Sequence, residues 1–305
     1  MISSYTSIVR DAQKARWSLD DVLGSLHGLD FSRPFLPETL VHTGALAFLD
    51  APGRLHANHI RAHSYVRTFA LVERFILPFV MLHAAESMHG ATDRLLALMQ
   101  FGEEEAKHIA LFERFSEAFE LGFGSACEII GPEQEIAWSV LAEDPLGVAL
   151  AVLHIEWMTQ DHYLRSVRNA EDIDPEFRNL LRFHWIEEAQ HARLDTLLIE
   201  EAVATRSDAE RRAALASYVR IVESLAKVLA DQVELDIEAF VRVGGSLDAT
   251  QRDEWRGSQT AAYREAFVHA GVVHPRFRAV VEQHFDADRS VLTSLAQRFE
   301  WSPTA

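Results

Sequence analysis

Glu105-Ala106-Lys107-His108 and Glu188-Ala189-Gln190-His191 are the two stretches on which the reading of this chain turns. In each, a carboxylate and an imidazole stand three residues apart, close to one turn of an α-helix, so both leave the same helical face. Each tetrad can offer one oxygen and one nitrogen to a metal ion. A lone Glu-x-x-His carries little weight, and a third copy, Glu86-Ser87-Met88-His89, runs straight into Gly90. A repeat sets the pair apart from that copy. Advancing by 83 residues carries Glu105 to Glu188, His108 to His191 and Glu73 to Glu156, and each lone Glu precedes its tetrad by 32 residues. The chain therefore repeats a helical hairpin with one Glu on its first helix and Glu-x-x-His on its second.

The rest of the composition agrees with helices. The 305 residues are 48% hydrophobic, with 9 Pro and 14 Gly and long stretches free of both, which predicts a nearly all-α globular chain with ample core. A formal charge of -17 argues against a nucleic-acid or anionic-membrane partner, since both need basic patches. The single Cys127 excludes an intrachain disulfide and a cysteine-based cluster, and suits a reducing compartment. Met1 to Ser18 contain no apolar run of the signal-peptide kind, and no stretch reaches the ~18 uncharged apolar residues of a membrane helix, so a cytoplasmic location is expected.

In order, the chain reads as a single domain, 1–305. Residues 1–53 lead in with a helix around Asp11 to Leu26, a turn at Phe31-Ser32-Arg33-Pro34, a helix from Pro37 to Leu49 and a break at Asp50-Ala51-Pro52-Gly53. Residues 54–203 supply four bundle helices: Arg54 to Ala84, Thr92 to Leu121, Asp144 to Asn169 and Asp174 to Val203, with a loop through Gly122, Gly124, Gly131 and Pro132 between the halves. Residues 204–305 supply covering helices, Asp208 to Val243, Asp248 to Ala270 and Pro275 to Phe299, with a role in a subunit interface. Glu73 sits in an apolar stripe with Val66, Phe69, Ala70, Ile76, Leu77 and Val80, and is the sole acid between Asp50 and Glu86. Pro78 is expected to kink that helix. The fourth helix carries His184, Glu188, His191 and Asp195 on one stripe.

Four carboxylates and two imidazoles converging in one core call for cations, because buried carboxylates are penalised unless paired or metal-bound. Two divalent ions meet that need; a set of core salt bridges is the alternative. One Glu from each of two helices and Glu-x-x-His from each of two others is the pattern of ferritin-like di-metal bundles.

Residues Arg54 to Val203, about half the chain, resemble a ferritin-like non-haem diiron oxygenase. The resemblance implies a four-helix bundle with a dinuclear core and added N- and C-terminal helices. It implies Glu105 and Glu188 as bridging ligands, Glu73 and Glu156 as terminal ligands, and His108 and His191 as nitrogen ligands. The metal it implies is two iron ions, and thiolate-free donors suit manganese as well.

His184 stands four residues before Glu188 and seven before His191, whereas Phe101 takes the matching place in the first half. Its position makes it a seventh ligand or a pocket-lining histidine. The motif His-x-x-x-Glu-x-x-His resembles the p-aminobenzoate and other arylamine N-oxygenases, which implies the first. Glu104 and Glu187 also obey the 83-residue offset, and either reach the imidazole of the opposite tetrad or stand as solvated acids. His59, His63, Tyr163, Trp157 and Trp185 read as structural.

The function implied is an O2-activating diiron monooxygenase that oxidises a small amine nitrogen, with an external electron donor and a homodimeric assembly. The rivals are a carbon hydroxylase or desaturase on the same fold, and an iron-binding ferroxidase. One departure limits the substrate: the positions a turn or two from Glu73 are Val66, Phe69 and Ala70, with no cation for an aminobenzoate carboxylate.

Overall fold

The computed structural model describes residues 4–23, 28–285 and 289–300, and its regular elements there are helical throughout. The chain opens with α1 (Tyr5–Ala15), α2 (Leu19–Leu23) and the single turn α3 (Glu38–Val41). The bundle follows as α4 (Ala51–Glu86) and α5 (Thr92–Phe123), a short α6 (Glu133–Leu141), then α7 (Pro145–Asp161) and α8 (Pro175–Ala204). After it come α9 (Asp208–Arg242), α10 (Ala249–Arg264), α11 (Ala270–Val273), α12 (Pro275–His284) and α13 (Arg289–Phe299). Helix α4 packs along α5 and α7 along α8, so the two halves of the sequence repeat are two antiparallel hairpins, joined where α5 meets α8.

Three of the four bundle helices start with one device. Asp50, Asp144 and Asp174 each precede or shortly precede a proline in the first turn, and each carboxylate accepts a backbone N–H: from Gly53 at 2.8 Å, Leu146 at 2.9 Å and Phe177 at 2.7 Å. Aspartate satisfies a donor that the helix cannot, and proline gives up none there. The expected break at Asp50-Ala51-Pro52-Gly53 is thus the start of α4. That helix continues without interruption past Pro78 to Glu86. By length and composition it is apolar enough to cross a membrane, yet 61% of the relevant window is buried in the protein.

Other boundaries differ from the sequence reading for local reasons. The first helix begins at Tyr5, where Ser4 and Ser7 form a reciprocal cap, and stops at Ala15, where Arg16 turns extended; residues 24–27, which include the expected end at Leu26, lie outside the described residues. The expected helix from Pro37 to Leu49 is two separate turns. His42 takes a left-handed backbone (φ 48), and the Glu38 carboxylate accepts from the Thr43 hydroxyl at 2.8 Å and the Gly44 N–H at 2.5 Å, closing the first turn on itself. The glycine-bearing loop contains α6, whose buried Ala137 and Val140 lie on one face. Helix α7 passes into a π-helical turn at His162–Val167. The last helix is divided after His284, with 286–288 outside the described residues.

Helix α9 covers the bundle on α7 and also touches α4. Its approach to α7 is close enough to need Gly147, where an added Cβ would stand 2.7 Å from Ser217 Cβ and 2.8 Å from the Ala214 carbonyl. A buried polar knot ties α4, α9 and α10: Asp236 accepts from Ser64 Oγ at 2.6 Å, Gln232 Nε2 at 2.9 Å and Tyr263 OH at 2.6 Å.

Candidate metal centre

Helices α4, α5, α7 and α8 bring Glu73, Glu105, His108, Glu156, His184, Glu188 and His191 into one buried cluster, none of them more than 3% exposed. The donor atoms form two groups. Glu73, His108, His184 and Glu188 make one; Glu105, Glu188 and His191 make the other, and Glu188 belongs to both. His191 Nδ1 lies 3.0 Å from Glu105 Oε1, 3.7 Å from Glu188 Oε1 and 3.8 Å from Glu156 Oε2, which places Glu156 on the side of the second group. His108 Nδ1 lies 3.3 Å from Glu188 Oε1 and 3.7 Å from Glu73 Oε1.

These contacts are close but are not aligned as hydrogen bonds. Glu73 Oε2, both oxygens of Glu105, His108 Nδ1, Glu156 Oε2, Glu188 Oε1 and His191 Nδ1 all lack a hydrogen-bond partner. Buried polar atoms are nearly always satisfied. Seven unsatisfied atoms facing one another are therefore a donor set aimed at a common occupant, and oxygens and imidazole nitrogens in that mixture fit divalent transition-metal ions.

The second ring nitrogens fix the tautomers. His108 Nε2 donates to Glu187 Oε2 at 3.0 Å, and His191 Nε2 donates to Glu104 Oε2 at 2.9 Å. Each acid precedes one tetrad and holds the imidazole of the other, leaving each Nδ1 turned toward the carboxylates. Both acids are buried, and neither is a solvated surface group. The two sides are not equivalent. Glu187 also pairs with Lys107 Nζ at 2.5 Å, and that ammonium sits over the Trp17 ring at 4.2 Å, while the same indole stacks on His108. Lys107 fills the third place of the first tetrad, where the second has Gln190, and Trp17 lies outside both tetrads.

His184 differs from the other two imidazoles. Its Nε2 lies 3.1 Å from Glu73 Oε1 and 3.0 Å from Glu188 Oε1, so the first group has two imidazoles and the second has one. Phe69 and Phe112 meet His184 edge-on, with ring centroids 5.3 Å and 4.9 Å away, and Phe101 stacks on His191 at 4.0 Å. Burial disfavours charge on His184, but the carboxylates of Glu188 and Glu73 outweigh it and push the imidazolium up to about 10. Burial and the positive His184 push His108 down to about 3. Burial, reinforced by neighbouring carboxylates, raises Glu73 and Glu156 well above the usual carboxylate range. The cluster thus competes for protons that bound cations would replace.

The residues read as structural are placed elsewhere. His59 Nε2 bonds the Arg33 carbonyl at 2.8 Å, His63 stacks on Phe119, Tyr163 stacks on Trp185, and Trp157 stacks on His274.

The model of the family described as P-aminobenzoate N-oxygenase AurF matches residues 29–271. No curated protein matches the chain. Among solved structures it is similar to mutants of an R2-like ligand-binding oxidase. One, with an aerobically reconstituted Fe/Fe cofactor, is 15% identical, with TM-score 0.49, covering 90% of this chain and 93% of that one. Another, with an anaerobically reconstituted Mn/Fe cofactor, is 15% identical, with TM-score 0.48, covering 88% and 93%.

Proposed function

We propose, since the chain belongs to the p-aminobenzoate N-oxygenase AurF family, that Glu73, Glu105, His108, Glu156, His184, Glu188 and His191 hold two iron ions, a donor set that manganese also suits. Membership makes the chain an O2-activating monooxygenase of the N-oxygenase type. The carrying observation is the set of unpaired oxygens and nitrogens that face one another in a dry core. Two ions held there would supply redox chemistry toward O2, with electrons from an external donor, one oxygen atom going to an amine nitrogen and the other leaving as water.

The chain's own residues hold and enclose. Glu104 and Glu187 take the Nε2–H of His191 and His108 and fix both rings, so the ligand face is set before any ion arrives. The rings of Phe69, Phe101 and Phe112 pack on His184 and His191 and keep water from the donors. Val66, Phe69 and Ala70, a turn or two from Glu73 on α4 and all buried, offer no cation for a carboxylate, which favours a small amine substrate without one. The proposal extends to an external electron donor, a homodimer, and a cytoplasmic location that agrees with the single buried thiol of Cys127.

The test is to load the protein with iron, reduce it, and expose it to O2 with a panel of aryl and alkyl amines under mass detection. Oxygen on nitrogen in at least one amine is the expected result. Products oxygenated only at carbon would contradict the proposal.

A further inference from the structure

The repeat that builds the centre is broken at two linked places. Advancing by 83 residues, Phe101 corresponds to His184 and Phe112 to Asp195. On one side of the centre, His184 of the second half adds a nitrogen beside Glu73 and Glu188, and the ring of Phe112 from the first half packs against it. On the other side, Phe101 of the first half stands where the extra imidazole would be, and Asp195 of the second half stands where the phenyl ring would be. The second group of donors is thereby one nitrogen short, and the acid in place of the phenyl ring is not one of its tight donors.

Asp195 lies four residues after His191 and seven after Glu188. At about 100° per residue, that puts it near 40° from the one and near 20° from the other on the ligand face of α8. It is 0% exposed. Both of its oxygens lack a hydrogen-bond partner, and no Lys or Arg pairs with it among the described residues. It is not part of the tight donor groups, so it stands one layer outside them. His191, Glu105 and Glu188 are charged groups close enough to act on it, and all three belong to the candidate centre. An unpaired carboxylate in a dry core is strongly penalised unless a cation answers it.

We propose that Asp195 is a further carboxylate of the metal centre, acting on the ion held among Glu105, Glu156, Glu188 and His191 and offsetting on that side the donor that His184 supplies on the other. The inference rests on the two-metal reading above. It makes the two ions chemically unlike: one nitrogen-rich, the other oxygen-rich and more negatively surrounded.

The experiment compares wild type with Asp195→Asn, a substitution of nearly equal volume, in the full chain. Metal-free protein is titrated with Co(II) and followed by visible absorption, and thermal unfolding is recorded with and without metal. Wild type should take two ions per chain. The Asn variant should bind one of them at least about tenfold more weakly, as loss of an outer carboxylate does, with the other unchanged. Added metal should raise the unfolding temperature of wild type by more than that of the Asn variant, because an ion bound more weakly to the folded state stabilises it less. After iron loading, its midpoint potential should lie above that of wild type.

Two ions of wild-type affinity with an unchanged cobalt spectrum in the variant would overturn the inference and leave the two-metal reading standing. An equal rise in unfolding temperature on adding metal to the two proteins would overturn it too. Wild type taking fewer than two ions would instead defeat the reading beneath it.

Discussion

Removing Glu187 should harm the protein more than removing Glu104, although both acids hold a metal-facing imidazole. Glu187 accepts from His108 Nε2 at 3.0 Å and from Lys107 Nζ at 2.5 Å, and its side chain is 0% exposed. Glu104 accepts from His191 Nε2 alone, at 2.9 Å. In Glu187→Ala the Lys107 ammonium, only 11% exposed, keeps just the Trp17 carbonyl at 3.2 Å and the face of the Trp17 ring. Breaking a buried ion pair by removing one partner costs about 3–5 kcal/mol. In the metal-loaded protein, where a ligating His191 is neutral, losing the one hydrogen bond to Glu104 and leaving its partner unsatisfied costs about 1–3 kcal/mol. The difference is about 2 kcal/mol. With an unfolding entropy of roughly 2.1 cal/mol/K per residue, a chain of this length converts that into about 3 °C of Tm. Both variants should also bind metal about 10- to 100-fold more weakly. Differential scanning calorimetry on the two metal-saturated single variants, and a metal titration of each, check both parts. Equal Tm values, or a larger loss in Glu104→Ala, would refute the account of the asymmetry.

Three other outcomes follow from the same geometry. His184→Ala removes one of the two imidazoles of the first group, so it should weaken one ion by at least about tenfold and leave the other near wild type, read in a competitive chelator titration. Burial raises Asp236 to about 6 from 3.8, so the folded state binds its proton more tightly than the unfolded state does. Stability from this group is therefore full below about pH 4 and falls by roughly 3 kcal/mol as pH rises through 6. Urea unfolding of Asp236→Asn across that window should lack this fall; an identical pH profile would count against the shift. Gly147→Ala forces a methyl to within 2.7 Å of Ser217 and should cost about 1–3 kcal/mol, seen as a lower urea midpoint with unchanged metal stoichiometry. An unchanged midpoint would mean that α7 and α9 give way freely.

Six residues of the buried cluster, Glu73, Glu105, His108, Glu156, Glu188 and His191, were legible because helical periodicity is local and the 83-residue offset removes chance matches, whereas His184, matched by Phe101 at that offset, was legible only from its place on the stripe of α8. Glu73 stood out as the only acid in a long apolar stripe. Glu104 and Glu187 were legible as a pair but not as buried groups, since whether an acid faces solvent depends on which helix packs over it. Lys107 and Trp17 were not legible at all. Their roles depend on where the segment between α1 and α2 crosses the bundle, a contact spanning about ninety positions in sequence. Asp195 was legible as a stripe position, but its lack of a partner is visible only once the neighbouring helices are in place. Helix α6 escaped because nine residues beside glycine and proline give too short a periodic signal, and the turn at His42 depends on a single side chain reaching back to close it.

The most direct test of the central claim is the metal content of iron-loaded protein, wild type beside Glu105→Ala. Glu105 presents two unpaired oxygens to the cluster and lies 3.0 Å from His191 Nδ1 and 3.9 Å from His108 Nδ1, so it faces both groups. Two ions per wild-type chain, with fewer than two in Glu105→Ala, is the predicted result. Fewer than two ions in fully loaded wild type, or an unchanged count in the variant, would contradict a dinuclear centre built on these side chains.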